Sequence, residues 1–246
     1  MPEPIRLDYS YNDQRGLGRM RFVRFHPEYD GVNNRIMFAG SQRGGVWKTI
    51  DGGANWSSLN TDQQLDQLAV SDLAIHPTNP NIMFLTTGNV QKNSAGLYQT
   101  IDGGATWTRP EWLNQAGNLE NIRLTDNLML TRIVYKPGAP NVMFMLACDR
   151  HQNGPAGYTG GGRGYVYRST DSGVNWTVML RFHGMDIGAA IDEINALEDI
   201  EFHPTNPNII YVCGHLLHRS LDGGTTWEQL TGNAPGLPYP FPVVEN

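Results

Sequence analysis

The feature that most constrains the fold of this chain is an octapeptide that occurs four times. Its copies are TIDGGANW at Thr49–Trp56, TIDGGATW at Thr100–Trp107, STDSGVNW at Ser169–Trp176 and SLDGGTTW at Ser220–Trp227. The aspartates of successive copies are 51, 69 and 51 residues apart. A recurrence on this scale marks a structural unit that is used once per copy. The sequence therefore predicts a row of four related units.

The octapeptide itself predicts a hairpin turn, because an Asp-Gly-Gly core lies between two short strand-like runs. The aspartate carboxylate can accept N–H bonds from its own turn, and the glycines allow positive φ angles. The tryptophan ring can then cover the hairpin and bury apolar area. A residue that recurs in every unit marks architecture. We therefore expect a structural role for Asp51, Trp56, Asp102, Trp107, Asp171, Trp176, Asp222 and Trp227.

Each unit also contains a first apolar run that ends at a proline, in Phe25-His26-Pro27 and its three counterparts. A turn, a second apolar run and a third run then lead into the octapeptide, and a fourth run follows the tryptophan. Four antiparallel strands with two apolar faces are typical of a propeller blade. The sequence thus predicts an all-β fold, a β-propeller with four recognisable four-stranded blades. The histidines recur one per unit and do not converge, so no metal site and no cofactor are predicted.

The repeat also predicts the domain organisation. Residues 1–18 are a lead-in segment, residues 19–235 form the propeller portion, and residues 236–246 begin a further blade or a closing strand. The blades are expected at about 19–60, 68–113, 128–181 and 196–231. Propellers contain from about four to eight blades, so four is the low extreme. We therefore expect part of a larger ring, completed by further blades of a longer protein or by self-association.

The pattern S/T-x-D-x-G-x-x-W resembles the Asp-box, or bacterial neuraminidase repeat. That repeat occurs in sialidases, sortilin-like receptors, xyloglucan-hydrolysing enzymes and photosystem assembly factors, and the resemblance covers about residues 19 to 230. It implies the β-propeller scaffold but no single activity, since these families differ in function. The segments Gly18–Arg21 and Gly44–Thr49 are similar to large secreted propeller proteins of polymer-degrading bacteria.

Composition excludes two classes of partner. The net charge is −6, only 17% of residues are charged and no lysine–arginine cluster is present, which argues against nucleic acid. No apolar run approaches the roughly 20 residues that span a bilayer. Abundant asparagine and scarce lysine suit an exported protein, so we expect an extracellular or cell-surface location, although the first residues are not a signal peptide. Cys148 and Cys213 lie in apolar runs of different units and are expected to be buried free thiols.

Loop lengths indicate which face carries the function. The turns between the first and second strands and the octapeptide turns are short, whereas the other two types of connection vary. In an up-down-up-down blade the variable connections emerge on one face, and binding residues are carried disproportionately by such loops. We call this the elaborated face. Its connections are Gly40–Gly44, Thr87–Ala95, Asp149–Arg163, Ser58–Ser71, Arg109–Thr131 and Met179–Glu198.

Two sets of ligand-binding candidates lie on the elaborated face. The first set comes from loops and offers polar or stacking groups: Trp112, Asp149, Arg150, His151 and Tyr158. The alternatives are a flexible insertion at 149–163 and a tryptophan buried under its own loop. The second set stands where the inner strands begin, at the channel mouth: Phe22, Asp72, Arg132 and Asp199. There, two carboxylates and an arginine could bind a ligand or form an ordinary ion-pair network.

The residues favour a binding protein over an enzyme. Sialidases have an Arg-Ile-Pro segment that this chain lacks. In xyloglucan-hydrolysing enzymes, an aspartate near an early inner strand aligns with Ser71, one residue before Asp72, and a one-residue shift reverses the side chain. Glycoside hydrolysis generally needs two carboxylates, and the second belongs to another propeller in those enzymes. We therefore expect a non-catalytic secreted propeller that binds a protein or polysaccharide; the alternative is a xyloglucanase-like glycoside hydrolase or a fragment of one.

Overall fold

In the computed structural model, the described residues are 19–66, 68–88, 96–109, 128–149, 164–182, 197–214 and 216–231. They form β-strands in four groups and one single-turn helix, α1 at Thr61–Gln64. The strands of blade 1 are β1 Met20–Phe25, β2 Met37–Ser41, β3 Gly45–Thr49 and β4 Ser57–Ser58. Those of blade 2 are β5 Val70–Ile75, β6 Met83–Thr87 and β7 Leu97–Thr100.

Blades 3 and 4 follow in the same order. The strands of blade 3 are β8 Leu128–Lys136, β9 Ala139–Asp149, β10 Gly164–Ser169 and β11 Thr177–Phe182. Those of blade 4 are β12 Asp199–Phe202, β13 Ile210–Cys213, β14 Leu217–Ser220 and β15 Glu228–Gln229. Each blade is an antiparallel sheet in which strands consecutive in sequence are neighbours. The predicted all-β fold of four propeller blades is therefore confirmed, and the chain forms a partial propeller.

Blade 2 is described only in part. Within the described residues its sheet contains three strands, and the residues after its tryptophan contribute a single bridge between Gln99 and Thr108. Both backbone bonds of this bridge are present, at 2.8 Å each. Only Thr108 and Arg109 follow Trp107 within this described range. The fourth strand of blade 2 is thus represented there by one residue pair.

The core lies between the blades, because the sheet faces that meet are apolar. One cluster joins blade 1 to blade 2 around Phe22, Phe38 and Leu73. A second joins blade 2 to blade 3, and a third, which contains Phe144 and Ile200, joins blade 3 to blade 4. Burial of such side chains contributes about 1.5–3 kcal/mol each. Among the described residues, no apolar cluster joins blade 4 to blade 1.

The octapeptide turns close through their own polar groups. In the first turn, Asp51 Oδ1 accepts the backbone N–H of Asn55 at 2.9 Å and the hydroxyl of Thr49 at 2.8 Å. The same hydroxyl oxygen accepts the backbone N–H of Gly53 at 2.9 Å, and Gly53 has a φ of 97°. Corresponding bonds form at Asp102, Asp171 and Asp222. The hydroxyl residue and the aspartate therefore build the turn together.

These bonds control the acidity of the turn aspartates. At Asp102 the hydroxyl and the backbone N–H of Thr106, together with Thr100, lower the carboxyl pKa to about 2. The pKa values of Asp51, Asp171 and Asp222 are lowered as well. Hydrogen bonds to the ionised carboxylate explain this direction, since the protonated form would lose acceptors.

The cysteine prediction was correct for bonding and partly wrong for burial. The two cysteines are not joined in a disulfide, but only Cys148 is buried, whereas Cys213 is exposed. Cys148 lies in β9, where the neighbouring blades cover both faces of the sheet. Cys213 ends β13 on a face of blade 4 that carries no neighbouring blade among the described residues. The burial of each cysteine therefore depends on whether a neighbouring blade covers the sheet face on which it lies.

Candidate functional site

The candidate site lies where the inner strands begin, and β-bulges position its side chains. The strand register shifts between Val70 and Asp72 and between Leu130 and Arg132, as it also does in β1. A bulge inserts one residue and re-aims the residues beside it. Ser71, which occupies the bulge of blade 2, is buried and donates its hydroxyl to Thr86 Oγ1 at 2.9 Å. Side chains do not alternate strictly between the two faces of the strand at this bulge. The sequence argument that Ser71 and Asp72 must point to opposite faces because they are one residue apart therefore does not hold.

Four charged side chains form one network that crosses all four blades. Arg24 of blade 1 pairs with the Oδ1 atom of Asp72 in blade 2. Arg132 of blade 3 reaches back to Asp72 Oδ2 through Nη1 at 3.1 Å. The Nε atom of the same arginine donates to Asp199 Oδ1 of blade 4 at 2.7 Å. We call these four residues the ion-pair ladder.

Asp72 is the buried centre of the ladder, with a side chain that is 0% exposed. Both of its oxygens are engaged, because Leu73 N donates to Oδ1 at 2.8 Å and Ile133 N donates to Oδ2 at 3.1 Å. Burial raises the pKa of this carboxyl, against the opposing attraction of Arg24 and the bond from Ile133. Because protein groups donate to both carboxylate oxygens, Asp72 holds its neighbours in place and has few acceptor sites left for a ligand.

Asp199 ends the ladder in a different environment. Its side chain is 44% exposed, and its Oδ1 atom accepts bonds from Arg132 Nε and from the backbone N–H of Ile200 at 3.0 Å. The side chain is therefore oriented by two donors yet open to solvent. A carboxylate of this kind can accept hydrogen bonds from hydroxyl groups or exchange a proton with water.

The structure brings together three of the four predicted inner-strand residues. Asp72, Arg132 and Asp199 belong to the ladder, whereas Phe22 is 5% exposed and lies in the apolar cluster between blades 1 and 2. Sequence reasoning missed Arg24, which takes the ionic place in blade 1. The available signal was an arginine two residues after Phe22 in β1. The ladder has the geometry of an ion-pair network, and ligand binding by its members stays a prediction.

The loop candidates fall outside the described residues, apart from one. Trp112, Arg150, His151 and Tyr158 are not described, and neither are the turns around them. Asp149 is the last residue of β9, and its backbone pairs with Leu128 at the start of β8. It therefore lies at the elaborated face, where β8 and β12 also begin. In the described ranges, no group of three or more histidine, cysteine or acidic residues could hold a metal ion.

The fold and the ladder define a row of β-propeller blades joined by charged inner strands. Comparison with known proteins adds relatives of low identity. Xyloglucanase Xgh74A of Acetivibrio thermocellus is 23% identical over 85% of this chain. A probable oligoxyloglucan-reducing end-specific xyloglucanase of Neosartorya fischeri is 26% identical over 88% of the chain. The chain spans only about a quarter of these curated relatives, 26% and 24% of their lengths.

The solved structures agree on the fold. An ancestral GH74 enzyme superimposes with a TM-score of 0.60 at 19% identity, covering 88% of this chain and 24% of the enzyme. No protein-family model matches the chain. Within the described residues, the structure has no helix of the length and apolarity that a membrane crossing requires.

These relatives overturn the expectation of a non-catalytic binding protein. The sequence similarity extends over most of the chain and leads to glycoside hydrolases, which was the alternative interpretation. That expectation also relied on the alignment of an enzyme aspartate with Ser71, and the bulge at this residue removes the argument that a one-residue shift reverses the side chain. If the chain is part of an enzyme, the class that the comparisons support is glycoside hydrolase.

Proposed function

We propose that this chain is a glycoside hydrolase of xyloglucanase type, or part of one, that acts on a β-glucan polysaccharide at its elaborated face. The observation that carries the proposal is the similarity over 85–88% of the chain to two xyloglucanases. The fold supports it, because the antiparallel blades present the starts of the first strands and the ends of the second strands on the same face. A polysaccharide chain that crosses this face would contact several blades at once.

Glycoside hydrolysis generally requires two carboxyl groups on either side of the scissile bond. Asp199 is the first candidate, because the guanidinium of Arg132 orients it while 44% of its side chain remains exposed. Asp72 serves as a positioning residue in this proposal, since it holds Arg132 through Oδ2 at 3.1 Å. The second candidate is Asp149, whose backbone lies at the same face.

The proposal is tested with the purified chain and soluble xyloglucan. New reducing ends measure hydrolysis, and retardation in a gel that contains the polysaccharide measures binding. We expect hydrolysis of xyloglucan and no action on mannan. Asp199→Asn should abolish it, and Asp149→Asn should weaken it by about 100-fold or more. Glu228→Gln, which alters an exposed carboxylate of the outer strand β15, is the matched control.

The outcomes separate binding from chemistry. A folded chain that neither retards nor cleaves xyloglucan would contradict the proposal. Equal hydrolysis by wild type and Asp199→Asn would reject the assigned carboxylate. Retardation without cleavage would place substrate recognition in this chain and require carboxylates from another part of the enzyme.

Several finer attributes accompany the proposal. The hydroxyl–aspartate bonds of the octapeptide turns support assignment to the Asp-box, or BNR, repeat type, which sortilin-like proteins share. A polysaccharide substrate supports an extracellular or cell-surface location.

The domain limits proposed from the repeat are 1–18, 19–235 and 236–246. Limited proteolysis followed by mass spectrometry tests these limits, because cleavage inside β-strands would contradict them.

A further inference from the structure

Arg24 occupies a place that is apolar at the next two blade interfaces. It corresponds to Ala74 of blade 2 and Val134 of blade 3, because each of these residues pairs with the phenylalanine of its second strand. Ala74 lies in the cluster between blades 2 and 3, and Val134 packs against the cluster between blades 3 and 4. A charge in such a place is costly unless it is paired and hydrogen-bonded. The arginine therefore has a role other than filling apolar space.

The guanidinium of Arg24 is directed at blade 2. Its Nε atom donates to Leu73 O at 3.2 Å, and its Nη2 atom pairs with Asp72 Oδ1. Its Nη1 atom donates to Val23 O of its own strand at 2.9 Å. The guanidinium carbon also lies 5.7 Å from the ring centroid of Phe22. These contacts hold the positive charge of Arg24 against the Asp72 carboxylate.

Two carboxylates share the other arginine of the ladder, Arg132. It donates from Nε to Asp199 Oδ1 at 2.7 Å and from Nη1 to Asp72 Oδ2 at 3.1 Å. The side chain of Asp72 is 0% exposed, so water screens its charge poorly, whereas Asp199 is 44% exposed. If Arg132 were the only cation present, Asp72 would therefore attract it more strongly than Asp199 does.

Arg24 changes the outcome of this competition. The ladder contains two guanidinium groups and two carboxylates, so their formal charges balance. Burial raises the pKa of Asp72, and the attraction of Arg24 is the largest influence that opposes this rise. Because Asp72 has Arg24 as a cation of its own, Arg132 can make its shorter bond to Asp199. Without Arg24, two carboxylates would share one guanidinium.

We propose that Arg24 of blade 1 is a positioning residue for Asp199 of blade 4 and acts on it through Asp72 and Arg132. By neutralising Asp72, Arg24 leaves the charge of Arg132 available to orient the Asp199 carboxylate. This orienting role depends on the ladder alone. Its consequence for catalysis rests on the proposed function, in which Asp199 acts on the glycosidic bond, and separate measurements test the two roles.

The Nε–H group of Arg132 reports the orientation directly in nitrogen-15 NMR spectra of the whole chain. Its signal is the one that disappears in Arg132→Lys, and its bond to Asp199 should slow its exchange with water in wild type. Arg24→Met keeps an unbranched side chain and removes the charge, so it should accelerate this exchange by about tenfold. Arg24→Lys, which restores one positive charge, should give an intermediate rate.

Arg219→Met is the matched control for these spectra. It removes an arginine of β14 that pairs with Glu228 and takes no part in the ladder. The exchange rate of the Arg132 Nε–H group should be the same in this variant as in wild type.

Urea unfolding supplies a second measure of the same competition. The shift in urea midpoint caused by Arg24→Met is compared in wild type and in Asp199→Asn. In Asp199→Asn the charge of Arg132 is available to Asp72, so the loss of Arg24 should shift the midpoint by about half as much or less. If Arg24→Met does not fold, Arg24→Lys is compared in the same two backgrounds. Arg219→Met should give the same shift in both.

Hydrolysis of xyloglucan tests the consequence for catalysis. Arg24→Met should lower kcat by about tenfold with little change in KM, and Arg24→Lys should recover part of the loss. A wild-type chain that does not hydrolyse xyloglucan would contradict the proposed function, whereas the spectra and the unfolding midpoints still decide the orienting role.

Two results would overturn the inference. Unchanged exchange of the Arg132 Nε–H group in folded Arg24→Met would show that Asp72 does not compete with Asp199 for this arginine. Equal midpoint shifts in wild type and in Asp199→Asn would show that Arg24 and Asp199 act independently.

Discussion

Two groups of aspartates in this molecule have opposite environments. The four octapeptide aspartates, such as Asp102, lie in exposed or half-exposed turns and bond within five residues of themselves. Asp72 is fully buried and takes its ionic partners from blades 1 and 3, 48 and 60 residues away in sequence. Hydrogen bonds lower the pKa of the first group, whereas burial raises that of Asp72. The carboxylates that recur in every blade each build one turn, whereas Asp72, which has no counterpart in blades 1 and 3, joins three blades.

The same contrast distinguishes architecture from function. Corresponding positions on the inner strands hold Phe22, Asp72, Arg132 and Asp199, so one residue type does not recur in every blade. A repeated turn can be satisfied by local bonds alone, so it gives each blade the same shape. Residues that vary along the row of inner strands make the surface at their starts asymmetric, and function is carried by such particular sites and not by the shared fold.

The largest effect on stability is expected for Asp72, the buried aspartate of this comparison. Asp72→Asn keeps the side-chain shape but removes the charge between Arg24 and Arg132, and loss of one partner of a buried ion pair costs about 3–5 kcal/mol. We expect that loss in the free energy of unfolding, measured by urea titration with tryptophan fluorescence. Asp199→Asn, at the half-exposed end of the ladder, should cost about 1 kcal/mol or less. Equal losses for the two variants would contradict the contrast.

The second prediction compares two tryptophans of the repeat. Trp107 is 5% exposed and donates its Nε1–H to Leu59 O of the preceding blade at 3.2 Å. Trp56 is 37% exposed and donates to Gly53 O of its own turn at 3.1 Å. Trp107→Ala should cost about 3–5 kcal/mol in urea unfolding, because it empties a packed contact between blades. A loss as large for Trp56→Ala would show that the turn itself, and not the blade contact, carries the stability.

The third prediction uses the glycines of the turns. A Cβ at Gly224, where φ is +86°, would lie 2.6 Å from Cε1 of Phe144 in the preceding blade. Gly224→Ala combines backbone strain with overpacking and should cost about 2–5 kcal/mol. Gly138 has a φ of +75° and open space around its position, so Gly138→Ala should cost about 1–2 kcal/mol. Thermal unfolding of both variants checks the order, and equal losses would show that close packing at Phe144 is unimportant.

The smallest effect concerns the exposed aspartates and has a defined pH dependence. The pKa of Asp102 is lowered from the ordinary value of 3.8 to about 2, so its stabilising bonds are fully present above about pH 4. They are lost as the pH falls through about 2, where the carboxylate of the folded state is protonated. Asp102→Asn should therefore lower the urea midpoint at pH 7 and differ progressively less from wild type on acidification.

Glu28→Gln serves as the control for that titration, because Glu28 is an exposed carboxylate outside the octapeptide turns. Its urea midpoint should follow wild type at every pH. If the difference in urea midpoint between Asp102→Asn and wild type grows toward low pH, the pH dependence assigned to Asp102 has the wrong sign.

The sequence by itself determined the elements that depend on local chemistry. The octapeptide specifies a turn because its hydroxyl, carboxylate and glycines satisfy one another within eight residues. Alternating apolar runs that end at prolines specify strands, and four repeats of that order specify blades. These features could be predicted because their partners are adjacent in the chain.

The tertiary structure decided the features that join distant segments. Arg24 became the partner of Asp72 because packing of blade 1 on blade 2 brings them together across 48 residues. The bulge at Ser71 set which side chains enter the ladder, and strand alternation read from the sequence gives no sign of it. Cys148 and Cys213 occupy similar apolar runs, yet a neighbouring blade covers only the first. Local patterns fix the blade, whereas burial and charge pairing depend on which blade stands beside it.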